Sequence, residues 1–339
     1  MRRIEGLDGI RMIAVSAVVV SHFFESSQNV RELHLGHFGV MLFFILSGFL
    51  ISSIILKQKI RGLPLQSFLK QFYVRRTLRI FPLFYLSILV FSIFGKGFGD
   101  FLGWHLGYAS NFLLAKEGSG FLGTHFWSLA VEEQFYLIFP LFLFTCKPRW
   151  ESAIIAGLIC MGMLSRCLFW NVDSLNSNFD RLLTTNLDCL GLGAALALSK
   201  VRAHSDRLVF LLCAAYLTIA ISLCNGLTSV HAALISMFAM SIAWVDRHQD
   251  ARLIQFLELK PIRYIGQISY GLYVWHYLLW QNKIEFEPWC ELLNSVHPIL
   301  QYGHSERVII GTLSLVLSII SWEFFEKQIL TLKHRFSYA

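Results

Sequence analysis

An all-α, polytopic transmembrane helical bundle of about ten spans, with both termini cytoplasmic, is the fold class this sequence predicts. Three observations predict it. Of the 339 residues, 55% are hydrophobic and 15% are charged, and the mean hydropathy is +0.55, a balance that water-surrounded domains do not carry. Thirty Phe, nine Trp and eleven Tyr supply the aromatic load of lipid-facing surfaces and interfacial belts. The apolar residues also gather into runs of membrane-crossing length, about 20 residues each. Such spans use up the length, so 1–339 reads as a single membrane-embedded domain, multi-pass in the inner (plasma) membrane.

Spans are expected near 9–25, 36–56, 77–95, 125–145, 152–170, 182–199, 208–224, 228–246, 264–281 and 307–325. The first follows Met1-Arg2-Arg3; Arg11 inside it and the lack of a small-residue cleavage site predict an uncleaved span rather than a signal peptide. The second, GVMLFFILSGFL, is expected to break at Ser47-Gly48, and the third to kink at Pro82. The run 101–115 is short and holds His105 and Asn111, so it reads as re-entrant or interfacial. Ten spans put 21 of the 29 Lys and Arg on cytoplasmic segments and six outside. An eleventh span at 101–115 would move Lys147 and Arg149 outside, against the positive-inside rule. The net charge of +7 thus points to membrane lipid, not to nucleic acid. The seven Cys (146, 160, 167, 189, 213, 224, 290) include no Cys-x-x-Cys pair and read as packing residues, with no metal or disulfide framework.

One loop stands apart. Residues 57–79, KQKIRGLPLQSFLKQFYVRRTLR, carry seven cations and no acid. They suit a topology anchor on anionic headgroups or a cytoplasmic surface for a polyanion. Arg76 and Arg79, three apart, come close to one helical face and present two forked donors for phosphate.

Ionisable residues inside apolar runs mark function, because burying them in lipid is costly. Arg11 and His22 are eleven residues apart, which places them within roughly 20° of one face and about 16 Å apart along a helix. Both should therefore face the same neighbour. Glu132 and Glu133 fall in the outer half of the fourth span, at the depth of His22. A carboxylate polarising an imidazole is a general-base arrangement; the alternative is that Glu133 pairs with an Arg and ties two helices together. Asp188 lies in the span 182–199, with Asp180-Arg181 at its outer mouth. Ser269, Tyr270, Tyr273 and His276 run along GQISYGLYVWH, Tyr273 and His276 on one face. Together these residues suggest a polar cavity reached from both faces, cations below and an acid–His pair above.

In order along the chain, five stretches carry a resemblance. LDGIRMIAVSAVVVSH holds an Arg-x10-His pattern; GVMLFFILSGFL, RRTLRIFPLFY, WSLAVEEQFYLIFP, and ISYGLYVWH with the closing WEFFEKQ follow. From Gly6 to about Lys327 the chain resembles the acyltransferase-3 family of integral membrane O-acyltransferases. The resemblance implies transfer of an acyl group, most often acetyl, from cytoplasmic acyl-CoA to a hydroxyl of an envelope or exported glycan, or of a glycosylated small molecule. Acyl-CoA (acetyl-CoA) is then a co-substrate, with no cofactor held permanently. It implies His22 as general base with Glu133 or Glu132 orienting it, and Arg11 on the donor path or neutralising Asp8. An acyl-histidine intermediate stays open. Arg75, Arg76, Arg79 and Ser47 would bind the donor; Trp127, Ser128, Tyr270, Tyr273, His276 and Asp188 would bind the acceptor. The outer loop 282–306 has aromatics and acids that suit a glycan or glycolipid acceptor, or serves as a lid. Some family members carry a fused extracytoplasmic hydrolase-like domain, which 1–339 is expected to lack, so a separate extracytoplasmic partner acyltransferase is also implied. The competing class is a transporter or flippase of a lipid-linked sugar, with Arg11, Glu133 and His22 as a proton relay.

Overall fold

The computed structural model describes residues 6–95, 97–170, 177–202, 213–214, 216–218, 226–248, 251–282, 304–336 and 338. Among them there is no strand. Long helices alternate with short ones: α1 (Gly6–Phe23), α2 (Gln28–Glu32), α3 (Leu35–Ile60), α4 (Leu65–Phe94), α5 (Leu102–Leu106), α6 (Ser110–Glu117), α7 (Trp127–Thr145), α8 (Glu151–Trp170), α9 (Leu183–Val201), α10 (Gly226–Arg247), α11 (Arg252–Leu257), α12 (Lys260–Gln281) and α13 (His304–Ser321). A π turn, Trp322–Glu326, carries α13 into α14 (Lys327–Thr331).

Among the described residues, six segments are long and apolar enough to cross a membrane: Gly6–Phe23, Gln28–Ile60, Leu65–Phe94, Thr124–Thr145, Pro148–Phe169 and Ser305–Phe336. Helices α9, α10 and α12, of 19, 22 and 22 residues, pack among them without meeting that apolar standard. The expected span 208–224 lies largely outside the described residues, as does the outer loop 282–306. The run 101–115 forms two helices of five and eight residues, too short to cross a bilayer.

Helix α9 is the hub. Every residue from Thr185 to Ser199 is buried, because α9 lies between α3 and α8, its two most extensively packed neighbours. Small residues allow that contact. A Cβ on Gly48 would collide with the Leu190 carbonyl, and one on Gly193 with the Ile45 carbonyl, so α3 and α9 touch backbone to backbone. Gly48 therefore does not break the second span; α3 runs unbroken from Leu35 to Ile60. Likewise α4 is one helix through Pro82. It begins at Leu65, inside the cationic stretch expected as a loop, because LQSFLKQFYVRR adds helical turns beyond the apolar run. Helix α1 packs between α3 and α12, and α12 also meets α13.

Cys167 is disulfide-bonded, which corrects its reading as a packing residue; Cys146, Cys160, Cys189 and Cys213 are free thiols.

Candidate active site

Five helices line a partly open cavity. Helix α1 contributes Arg11; α4 contributes Arg76, Arg79 and Ile80, one face by their spacing. Helix α7 supplies Ser128, Leu129, Glu132 and Tyr136, and α12 supplies Ser269, Tyr270 and Tyr273. Along α3 the lining runs Val40, Phe43, Phe44, Ser47, Leu50 and Ile51.

The two ends differ in chemistry. One gathers three guanidinium groups, Arg11, Arg76 and Arg79, around one carboxylate, Glu132. Arg11 is paired within its own helix, its Nη1 2.7 Å from Asp8 Oδ1. Glu132 accepts hydrogen bonds from Ser47 Oγ at 2.6 Å and Tyr136 Oη at 3.0 Å, and the Arg76 guanidinium lies over the Tyr136 ring at 5.3 Å. Beside Arg79, Tyr270 donates to the Ile80 carbonyl at 2.6 Å. The other end is apolar and aromatic, Phe43 meeting the Tyr273 ring edge-on. Tyr273 donates to the His125 carbonyl at 2.5 Å and shares its oxygen with Ser128 Oγ at 2.6 Å, which closes the cavity with a buried layer.

Beyond that layer lies a group of histidines. His22 Nδ1 is 2.8 Å from His276 Nε2. His276 Nδ1 faces the Leu272 and Tyr273 carbonyls at 2.9 and 2.8 Å. Carbonyls only accept, so His276 carries its proton on Nδ1 and its Nε2 is an acceptor. His22 Nδ1 must then donate, which leaves the lone pair on His22 Nε2. The network selects the tautomer a general base needs. The Tyr277 ring packs on His22 with centroids 4.0 Å apart, and the buried His125 ring stands 5.7 Å from that of His276.

Arg11 and His22 thus both meet α12, Arg11 across the cavity and His22 directly. The expected acid–imidazole contact does not form. Glu132 is held by Ser47 and Tyr136, and Glu133 Oε1 makes no hydrogen bond among the described residues. His276 stands where a carboxylate was expected. Arg75 turns away from the cavity to the Lys333 and Phe336 carbonyls, at 3.1 and 3.2 Å, and to the Tyr338 ring. Trp127 packs edge-on against Phe44, under Arg181. Asp188 does not line the cavity. Its carboxylate meets Arg166 Nε at 3.2 Å and Tyr216 Oη at 2.7 Å, all buried, so it ties α8 to α9.

Sequence reasoning missed His125, Tyr136 and Tyr277. Tyr136 carried a signal, since it follows Glu132 at i+4 and shares its face. His125 is the middle residue of a single 3-10 turn, Thr124–Phe126, before α7, and no local pattern marks it.

Three comparisons bear on this site. The acyltransferase-3 family model, an acyltransferase domain, matches residues 4–323. The chain is similar to the peptidoglycan O-acetyltransferase OatA of Listeria monocytogenes, 27% identical over 367 residues, covering 96% of this chain and 56% of that protein. It is similar to the O-acetyltransferase OatA of Staphylococcus aureus, 28% identical over 380 residues, covering 97% and 57%. The chain therefore spans about half the length of the curated relatives it matches. No solved structure matches it.

Proposed function

Because the chain belongs to the acyltransferase-3 family of membrane acyltransferases, we propose that it O-acetylates a cell-wall glycan, taking the acetyl group from cytoplasmic acetyl-CoA. The observation that carries the reading is the cavity with Arg11, Arg76 and Arg79 at one end and Phe43, Phe44, Leu129 and Tyr273 at the other. Coenzyme A is a polyanion on a long thin arm. Its phosphates suit the guanidinium end through forked, charge-assisted hydrogen bonds, and its acyl end suits the apolar end. Peptidoglycan enters as acceptor because the Listeria monocytogenes relative is named for it.

The chemistry is then acyl transfer with one base. His22 Nε2 takes the proton of an acceptor hydroxyl, and the oxygen attacks the thioester carbonyl. The C–S bond breaks, and the thiolate leaves with the proton from His22. His276 is a positioning residue that holds the His22 tautomer. The cavity stops one layer short of His22, so transfer requires the Ser128–Tyr273 pair to part. In this reading the guanidinium end faces the cytoplasm, the chain crosses the inner membrane about ten times, and both termini are cytoplasmic.

The relay of Arg11, Glu133 and His22 that a transporter would use finds no support. Arg11 pairs with Asp8 and His22 with His276.

The test is transfer of labelled acetyl from acetyl-CoA to cell-wall glycan fragments by the full chain in lipid nanodiscs. His22→Ala is expected to keep its fold and its acetyl-CoA binding and to lose transfer. Transfer retained in that variant removes His22 from the chemistry.

A further inference from the structure

We propose that Phe43 sets the length of the acyl group this site accepts, restricting it to acetyl or little more; the assignment rests on the reading of the cavity as the acyl-CoA site. On α3, the partly accessible residues between 39 and 58 are Phe43, Ser47, Leu50, Ile54 and Lys57, and every other residue in that stretch is buried. Their spacing of four, three, four and three draws one stripe along one helix face. The stripe begins at Lys57, passes Ser47 beside Glu132, and ends at Phe43.

Val40, one turn further on, is the last α3 residue on the cavity lining and only 6% exposed, and a Cβ on Gly39 would stand 2.5 Å from the Ala14 carbonyl, so α1 seals that level. Phe43, with Val40 behind it, is thus the end wall on the α3 side. Opposite it, Tyr273 presents its ring at 6.5 Å and 72° and, until the Ser128 pair parts for transfer, is held by two hydrogen bonds, to His125 and Ser128. The two sides differ in how they respond to substitution. Tyr273 is tethered and sits next to the histidine layer, whereas the Phe43 side chain is held by packing alone and can be trimmed without unpairing a polar group. An acyl chain entering from the guanidinium end meets the Phe43 ring first. Each extra methylene against a fixed apolar wall is discriminated by about 10- to 200-fold.

The experiment compares acetyl-, propionyl- and butyryl-CoA as donors for the full chain in nanodiscs, with kcat and KM measured separately. Wild type is expected to prefer acetyl over butyryl by at least roughly tenfold. Phe43→Ala is expected to raise the butyryl-to-acetyl ratio of kcat/KM by about tenfold or more, Phe43→Leu by less, and Phe43→Trp to lower propionyl use below wild type. Phe43→Leu keeps the test decisive if the alanine variant does not fold. Wild type that uses butyryl as well as acetyl overturns the assignment, as does an unchanged length profile in variants that bind acetyl-CoA normally. Wild type that binds no acyl-CoA in direct titration overturns the donor reading, and this assignment with it.

Discussion

Replacing His276 by Phe keeps an aromatic ring of similar shape and removes one atom of consequence, the Nε2 that accepts from His22 Nδ1 at 2.8 Å. A buried donor left without an acceptor costs about 1–3 kcal/mol. His22 avoids that cost by moving its proton to Nε2, the tautomer with no lone pair where the base is needed. A bias of that size lowers the competent population by roughly 5- to 150-fold. We expect kcat for acetyl transfer to fall within that range in His276→Phe. KM for acetyl-CoA should hold, because His276 does not line the cavity. His276→Gln, whose amide oxygen can accept from Nδ1, should recover part of the loss. The assay is steady-state transfer of labelled acetyl by nanodisc-embedded protein, alongside thermal unfolding. A folded His276→Phe variant with kcat within about twofold of wild type would refute the tautomer argument, as would a loss expressed only in KM.

Arg76→Ala with Arg79→Ala should weaken acetyl-CoA binding by about 100-fold or more, since hydrogen bonds to charged groups are worth about 1.5–3 kcal/mol each. The salt dependence of binding, read by calorimetric titration, should flatten at the same time. Arg166→Ala strands the buried Asp188 carboxylate and should destabilise the protein by about 3–5 kcal/mol. Arg166→Met with Asp188→Leu should restore much of that thermal stability, while Arg166→Ala protein that stays folded keeps its KM for acetyl-CoA. Gly193→Val drives a side chain into the Ile45 carbonyl and should abolish well-folded protein, read as loss of a single monodisperse species in detergent. His105 is outside the candidate spans; burial pushes its pKa down to about 4, with its ring nitrogens on Ser110 and the Leu122 carbonyl. The unfolded chain, with an ordinary pKa near 6.5, therefore binds the proton first. The stability His105 contributes is complete above about pH 6.5 and is lost as pH falls towards 4. His105→Gln should reduce the drop in melting temperature between pH 7 and pH 5.

Helix positions were legible because a bilayer forces every backbone group to pair within its own segment; α7 and α8 start and stop within two residues of their apolar runs. The start of α4 at Leu65 was not, because its first turns carry cations outside the apolar run, and hydropathy is blind to helix there. Arg11 and Glu132 announced the cavity by their cost in lipid. What remained hidden was partnership. His22 pairs with a residue 254 positions away, and which groove of α12 it enters depends on helix rotation, which no local pattern reports. Depth alone made Glu132 and Glu133 candidates, but depth does not give azimuth. For Asp188 the partner was within reach of the same reasoning. Arg166 lies four residues before the end of α8, and Asp188 five after the start of α9, matching levels on neighbouring helices.

That pair also bears on how the chain is made. Arg166 is synthesised 22 residues before Asp188, so it leaves the ribosome with its counter-charge still untranslated. A lone Arg within a span costs up to about 3 kcal/mol on insertion scales. The charge is neutralised only when α9 arrives alongside. Entry of α8 and α9 as one hairpin would bring the two charges in together and avoid that cost.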